Sequence, residues 1–314
     1  MRRRAGESPG RHIPIVKSAG NGYNDLMKCM LCPRKCGVDR SAGETGYCGA
    51  PAKPVVARAA RHDWEEPCIS GTRGSGAVFF SSCNLGCVYC QNREISRFLR
   101  GKSLDAAGLR DLFARLRDSG VHNINLVTAS PYADVIAEAL EVSPGIPVVW
   151  NSGGYERLET LRMLEGKIDV YLPDMKYADD ALAMALSGAP DYFETADAAI
   201  REMLRQTGKC RFDGDGLLTR GVLVRHLVLP GFLANSKDVL EWFAGAFPRG
   251  IALLSLMAQY TPNGFGGPER RLREEEWREV ADYLYMLGIH GGYIQELSSA
   301  EGEYVPAFDG TGVE

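Results

Sequence analysis

The 314-residue chain is predicted to fold as an α/β protein, an open partial barrel of the (β/α)6 type preceded by a small cysteine-rich region. Three observations carry this expectation. From Gly76 onward, short runs of β-branched and aromatic residues alternate with stretches whose apolar residues recur every three or four positions. Strands that alternate with helices imply right-handed crossovers and therefore a parallel sheet, and six such repeats are too few for a closed eightfold barrel. Residues 25–75, in contrast, hold many Gly and Pro, few apolar runs and most of the grouped cysteines, so they cannot bury a core alone and need a staple.

Residues 1–24, rich in Gly, Arg, Asn and Ser, read as a loose arm. The expected strands cover 77–81, 123–128, 147–151, 168–173, 222–229 and 251–257, with a short seventh near 292–295. Between them, Leu104, Leu109, Leu112 and Leu116 form one helical stripe, and Trp277, Val280, Leu284 and Leu287 another. The barrel thus spans 76–300 and a tail 301–314. A formal net charge of -4 suggests no nucleic-acid partner. No run of eighteen apolar residues occurs, so no membrane span is expected. The basic start Met1-Arg2-Arg3-Arg4 lacks the apolar stretch of a signal peptide, which points to a cytoplasmic protein.

In that compartment thiols stay reduced, and grouped cysteines bind metal or do redox chemistry rather than form disulfides. Of the nine cysteines, Cys83, Cys87 and Cys90 follow the first barrel strand with the spacing C-x3-C-x2-C. Three thiolates can hold three irons of a [4Fe–4S] cube and leave the fourth open, as a catalytic metal requires; a structural cluster normally has four. A zinc site completed from elsewhere, or three core thiols, are the plainer alternatives. A second group, Cys29, Cys32, Cys36 and Cys48, is spaced C-x2-C-x3-C-x11-C among Pro33, Gly37, Gly43, Gly46 and Gly49. Four thiolates can close a zinc shell, whose binding would supply folding energy to a region without a core, or hold a complete auxiliary cluster. Zinc is preferred, because the spacing is not that of bacterial ferredoxins. Cys68 reads as a small buried hydrophobe, and Cys210 has no evident partner.

The segment Ser81-Ser82-Cys83-Asn84-Leu85-Gly86-Cys87-Val88-Tyr89-Cys90, with an aromatic residue just before its third cysteine, resembles the radical S-adenosylmethionine (SAM) superfamily. The stretches NINLVTAS (123–130), NSGGYE (151–156), YLPDMKY (171–177), RHLVLPG (225–231) and SLMAQYTP (255–262) narrow the resemblance. They are similar to an uncharacterised branch named for its likeness to pyruvate formate-lyase activating enzyme, over nearly the whole chain. The resemblance implies a radical SAM partial barrel in which the open iron chelates SAM. Electron transfer then yields a 5′-deoxyadenosyl radical that abstracts hydrogen. It places Asp174 and Lys176 as the Asp-x-Lys pair, with Lys176 toward the SAM carboxylate, Arg225 toward the carboxylate or the ribose, and Asn151 and Ser152 at the end of the third strand. Thr128 and Ser130 stand where activating enzymes carry an acidic Gly-Gly-Glu turn, which this chain lacks. Hydroxyls or backbone carbonyls would have to replace it. His226 reads as either a satisfied core histidine or a ligand, and Gln259 and Tyr260 as packing, adenine-side or substrate-side groups.

The implied partners are an electron donor such as flavodoxin or ferredoxin and, for an activating enzyme, a glycyl radical enzyme. A radical SAM enzyme acting on a peptide or small molecule is the second expectation. A non-catalytic metal-binding adaptor is the third, and an open three-cysteine site argues against it.

Overall fold

The computed structural model describes residues 28–300 and 306–313; the expected arm over 1–24, and residues 301–305 and 314 of the tail, lie outside the described residues. The strands are β1 (Val55–His62), β2 (Ser75–Phe80), β3 (Lys102–Ser103), β4 (Ile124–Val127), β5 (Val148–Ser152), β6 (Val170–Pro173), β7 (Arg211–Phe212), β8 (Leu218–Leu227), β9 (Leu253–Met257) and β10 (Gly292–Ile294). Each expected strand is present within a few residues. The sheet runs β10-β9-β8-β6-β5-β4-β2-β1-β3 and does not close on itself. From β2 to β10 every neighbouring pair is parallel, while β1 joins β2 antiparallel and β7 hangs antiparallel from β8. The fold class is therefore the one expected from the sequence.

Nine helices are described: α1 (Pro67–Ser70), α2 (Arg93–Ser96), α3 (Ala106–Asp118), α4 (Ala133–Ala139), α5 (Leu158–Met163), α6 (Asp180–Ser187), α7 (Tyr192–Thr207), α8 (Leu233–Ala246) and α9 (Glu274–Met286). Strand side chains alternate between two faces. Val78, Phe80, Leu126, Trp150, Tyr171, Val224 and Leu256 point outward and pack with Leu109, Leu112 and Leu116 of α3 and the other helices in the main core. The opposite alternation fills the barrel. Val149, Val170, Leu172 and Leu223 meet Cys68 and Ile69 of α1. The single turn α1 thus stops the amino end of the barrel, held there by the Asn123 amide, which donates to the Ile69 carbonyl at 2.8 Å.

β1 was not expected. Its sequence VVARAARH lacks a clean alternation because one face is only partly covered, as its burial shows. Pairing with β2 draws it into the sheet inside the span read as cysteine-rich. Residues 306–313 return to this strand: Gly310 donates to the Ala57 carbonyl at 3.1 Å and Ala59 to that of Thr311 at 2.9 Å. Phe308 meets Phe79 edge-on at 5.5 Å between ring centres. A Cβ at position 312, where φ is 76°, would stand 1.8 Å from the Ala59 carbonyl oxygen, so this return requires glycine.

Candidate active site and amino-terminal thiol group

The loop after β2 is set by its backbone before its thiols. Ser82, a non-glycine residue, has φ of 80°, and Thr128 at the end of β4 has φ of 61°. Such left-handed conformations cost on the order of 1–2 kcal/mol each and cluster at functional sites. Cys83, Cys87 and Cys90 follow in this loop, partly or fully buried and packed against the main core. Burial pushes the Cys83 thiol up to about 12, with Cys87 and Cys90 adding to it, and burial followed by Cys87 also raises Cys90. Cys87 and Cys90 are thus near enough to oppose the ionisation of Cys83, and Cys87 that of Cys90. The Cys87 sulfur accepts from the Ser187 hydroxyl at 3.0 Å, which also bonds Tyr177, and Tyr177 donates to Tyr89 at 2.8 Å.

Beside this loop, Asp174 follows β6 and bridges two cations: Lys176 Nζ at 2.5 Å and Arg225 Nε at 2.9 Å. Burial favours the neutral acid, but Arg225 and Lys176 hold the Asp174 carboxyl below the usual range. Burial likewise opposes the charge on Lys176, and Asp174 and then Cys87 more than restore it. Arg225 also donates to Asn151 Oδ1 at 2.6 Å. The sequence-derived residues Asn151, Asp174, Lys176 and Arg225 therefore meet in one polar cluster. Gly154 lets β5 and β6 come together here: its φ is 77°, and a Cβ would stand 2.1 Å from the Asp174 carbonyl oxygen.

Ser130 and Ser152 are not part of that cluster through their hydroxyls. Ser130 bonds Glu156, and Ser152 Oγ accepts from the Gly154 N–H at 3.3 Å. Glu156 is buried on the outer side of the sheet with Trp150, and burial raises its pKa despite Ser130 and Ser152. Thr128 donates its backbone N–H to the Asn151 carbonyl at 2.9 Å, beside the cluster. His226 is fully buried between the Met175 carbonyl (2.6 Å) and the Ser236 hydroxyl (2.9 Å). Burial lowers its pKa to about 4, so it is a satisfied neutral core histidine. Tyr260 packs beside Tyr89, with its hydroxyl on the Pro268 carbonyl at 2.6 Å. Cys68 is 2% exposed within the barrel floor.

Three acidic residues were missed from sequence. Glu65 enters from the turn before α1 and accepts from Asn125 at 2.9 Å and Asn151 at 3.2 Å, with Arg225 at 3.4 Å. Glu66 lies next to it. Glu156 stood within a quoted motif, but its inward or outward direction depends on the β5 turn.

The second thiol group sits in a knuckle of tight turns. Cys29 donates to the Val38 carbonyl at 2.8 Å, Gly37 to that of Cys29 at 3.1 Å, and Lys35 to that of Cys32 at 3.1 Å. Burial pushes Cys32 up to about 12, with Cys48 and Cys29 contributing, and burial also raises Cys29 and Cys48, each with a contribution from Cys36. All four thiols therefore lie in one neighbourhood. Among the described residues no three Cys, His, Asp or Glu side chains already converge on a shared point closely enough to hold an ion, so both groups are gathered thiols rather than closed shells. The knuckle grips the loop of Cys83–Cys90. Arg34 donates to the carbonyls of Asn84 (3.0 Å), Leu85 (3.4 Å), Ser187 (3.0 Å) and Gly188, and lies over the Tyr47 ring at 3.9 Å.

Comparison with known proteins adds a family to this geometry. The family model described as the radical SAM superfamily matches residues 77–242. An uncharacterized protein of Methanocaldococcus jannaschii is 26% identical over 268 residues, 81% of this chain and 73% of that protein. Among solved structures, SuiB of Streptococcus suis bound to S-adenosylmethionine is similar with 12% identity and a TM-score of 0.49, over 72% of this chain. This chain spans about half of SuiB, 51% of its length. A domain of pyruvate-formate lyase-activating enzyme from Bacteroides vulgatus is similar with 18% identity and a TM-score of 0.36, over 61% of this chain and 91% of that one. Among the described residues no helix is long and apolar enough to cross a membrane.

Proposed function

The chain belongs to the radical SAM superfamily, and from that premise we propose that Cys83, Cys87 and Cys90 hold its [4Fe–4S] cluster and that its radical chemistry activates a glycyl radical enzyme. The observation carrying the first part is the loop itself. Three thiols share it, burial disfavours the free thiolates of Cys83 and Cys90, Cys87 adds to both, and a cationic group would relieve this. The donor set fits a cluster with one open iron. When bound, the cluster supplies the electron that cleaves SAM to a 5′-deoxyadenosyl radical.

The chain's own residues would bind and orient SAM. Lys176, between Asp174 and the cysteine loop, offers an ammonium to the SAM carboxylate, and Arg225 offers nitrogens that Asp174 and Asn151 hold in place. Thr128 and Ser130 would serve the methionine ammonium through backbone carbonyls, because the Ser130 hydroxyl is committed to Glu156. Ser152 would support the turn after β5, where its hydroxyl accepts from the Gly154 N–H. An electron donor such as flavodoxin or ferredoxin is required for turnover.

Anaerobically reconstituted, reduced protein with SAM should release 5′-deoxyadenosine. Co-incubation with a glycyl radical enzyme from the same genome should then give a protein-borne radical by electron paramagnetic resonance. Nucleoside release without that radical would favour the second reading, modification of a peptide or small molecule, which the extra thiol region beside the cluster loop supports.

For Cys29, Cys32, Cys36 and Cys48 we propose structural zinc. Four thiols in a small region of turns fit a tetrahedral shell whose metal supplies folding energy. Metal analysis of the Cys83/Cys87/Cys90 triple-Ala variant should find about one zinc per chain and almost no iron. About four irons would mean an auxiliary cluster instead.

A further inference from the structure

Oxygen acceptors inside the barrel outnumber their partners. Glu66 Oε2, Asn125 Oδ1 and Ser255 Oγ are buried without a hydrogen-bond partner. The three residues are 8%, 0% and 1% exposed. Native proteins rarely leave such atoms orphaned, and each one calls for an account. They belong to one connected interior. Asn125 on β4 donates its amide to Glu65, Glu65 faces Arg225 on β8, and Arg225 is paired in register with Ser255 on β9. The Ser255 hydroxyl stands beside the Glu66 carboxyl, toward which its O–H can donate.

Charge is also left over. Three carboxyl groups, Glu65, Glu66 and Asp174, face two cations, Lys176 and Arg225, so with all three ionised one carboxylate has no cation of its own. Asp174 takes Lys176 and one edge of Arg225, while Glu65 takes a second Arg225 nitrogen with Asn125 and Asn151. Glu66 keeps the free oxygen. Burial raises its pKa, with Arg225 opposing and Glu65 adding to the rise. The recess is not sealed: the Glu65, Asp174, Arg225 and Lys176 side chains retain 9%, 11%, 14% and 17% of their exposure.

We infer that Glu66, Asn125 and Ser255 form a subsite for the primary ammonium group of the substrate, carried either by a free alkylamine or by a lysine side chain. An ammonium has three N–H donors, no acceptor and one positive charge, matching three orphaned acceptors and one unmatched carboxylate. A carboxylate or phosphate would set its negative charge beside the Glu66 carboxyl and the Asn125 amide oxygen. The inference rests on the reading of the barrel as a radical SAM active site and names the chemistry of its substrate.

The test is calorimetry on the anaerobic, cluster-loaded protein with SAM bound. The charged probes are n-butylammonium and the blocked tripeptide acetyl-Gly-Lys-Gly-amide. Their uncharged controls are n-butanol and the norleucine tripeptide. At least one charged probe should bind saturably and at least about tenfold more tightly than its control, a gap of about 1.4 kcal/mol; which one binds identifies the source of the amine. Glu66→Gln, which keeps shape and removes charge, should weaken that probe about tenfold or more, and Ser255→Ala a few-fold. Should Glu66→Gln melt far below the parent, Ser255→Ala carries the comparison alone. Charged probes binding no better than their controls, or binding undiminished in both variants, would overturn the subsite. Release of 5′-deoxyadenosine is measured on the same parent preparation. Its absence condemns the SAM reading, whereas its presence without amine binding condemns only the subsite.

Discussion

Cys87→Ala yields a folded protein that no longer cleaves SAM. The thiol is 7% exposed in a loop, and its one side-chain hydrogen bond is to the Ser187 hydroxyl. Trp150, Tyr171 and the α3 leucines that hold the barrel together lie in the helix-covered layer and keep their packing. Removing a single sulfur therefore costs about 1 kcal/mol of stability, the centre of the range for point substitutions. The chemistry, in contrast, loses one of three donors that have no substitute in the loop. Cys83→Ala and Cys90→Ala should behave alike. Circular dichroism and thermal melting report the fold, and chromatography of the nucleoside products reports cleavage. Sustained 5′-deoxyadenosine release from any one of the three variants would exclude these cysteines as the cluster ligands.

Arg34→Ala should cost the protein much of its iron although Arg34 is not a proposed ligand. Its guanidinium holds four carbonyls, two of them, Asn84 and Leu85, inside the cysteine loop, and it lies over Tyr47, whose own hydroxyl donates to Leu85 at 3.1 Å. Hydrogen bonds from a charged donor contribute roughly 1.5–3 kcal/mol each, so losing the set should cost on the order of 3 kcal/mol or more even without additivity. The stranded carbonyls would then let the loop between Cys83 and Cys87 wander. Arg34→Lys should restore little, because one ammonium cannot reproduce a planar fork that reaches two chain segments. Iron per chain after gel filtration is the measurement, with melting temperature beside it. Iron content equal to the parent's would show that the loop needs no help from the knuckle.

The parts of this molecule written in short stretches of sequence were legible. Strand positions, the two cysteine groups and the polar residues at strand ends follow from periodicity and spacing, and Asn151, Asp174, Lys176 and Arg225 do meet. What escaped depends on contacts across the chain. Glu65 and Glu66 sit in a turn with no local sign that it plugs a barrel. Arg34 resembles any surface arginine until the loop 50 residues away is folded against it. Ser130 and Ser152 show the reverse: their position near the strand ends was readable, but the turn to Glu156 that takes up the Ser130 hydroxyl was not. β1 was missed because one partly covered face blurs its alternation.

The segment 306–313 lies along β1 and bonds it across a sequence separation of 249, as between Arg58 and the Ala307 carbonyl at 3.2 Å. During synthesis at about 5–20 residues per second, β1 would wait on the order of tens of seconds for this cover. Until then its backbone donors and acceptors form an open border on which a foreign strand could add. The segment that shuts the first strand off from its neighbours is thus made long after that strand, and nascent chains stalled before residue 306 should be the species that chaperones hold longest.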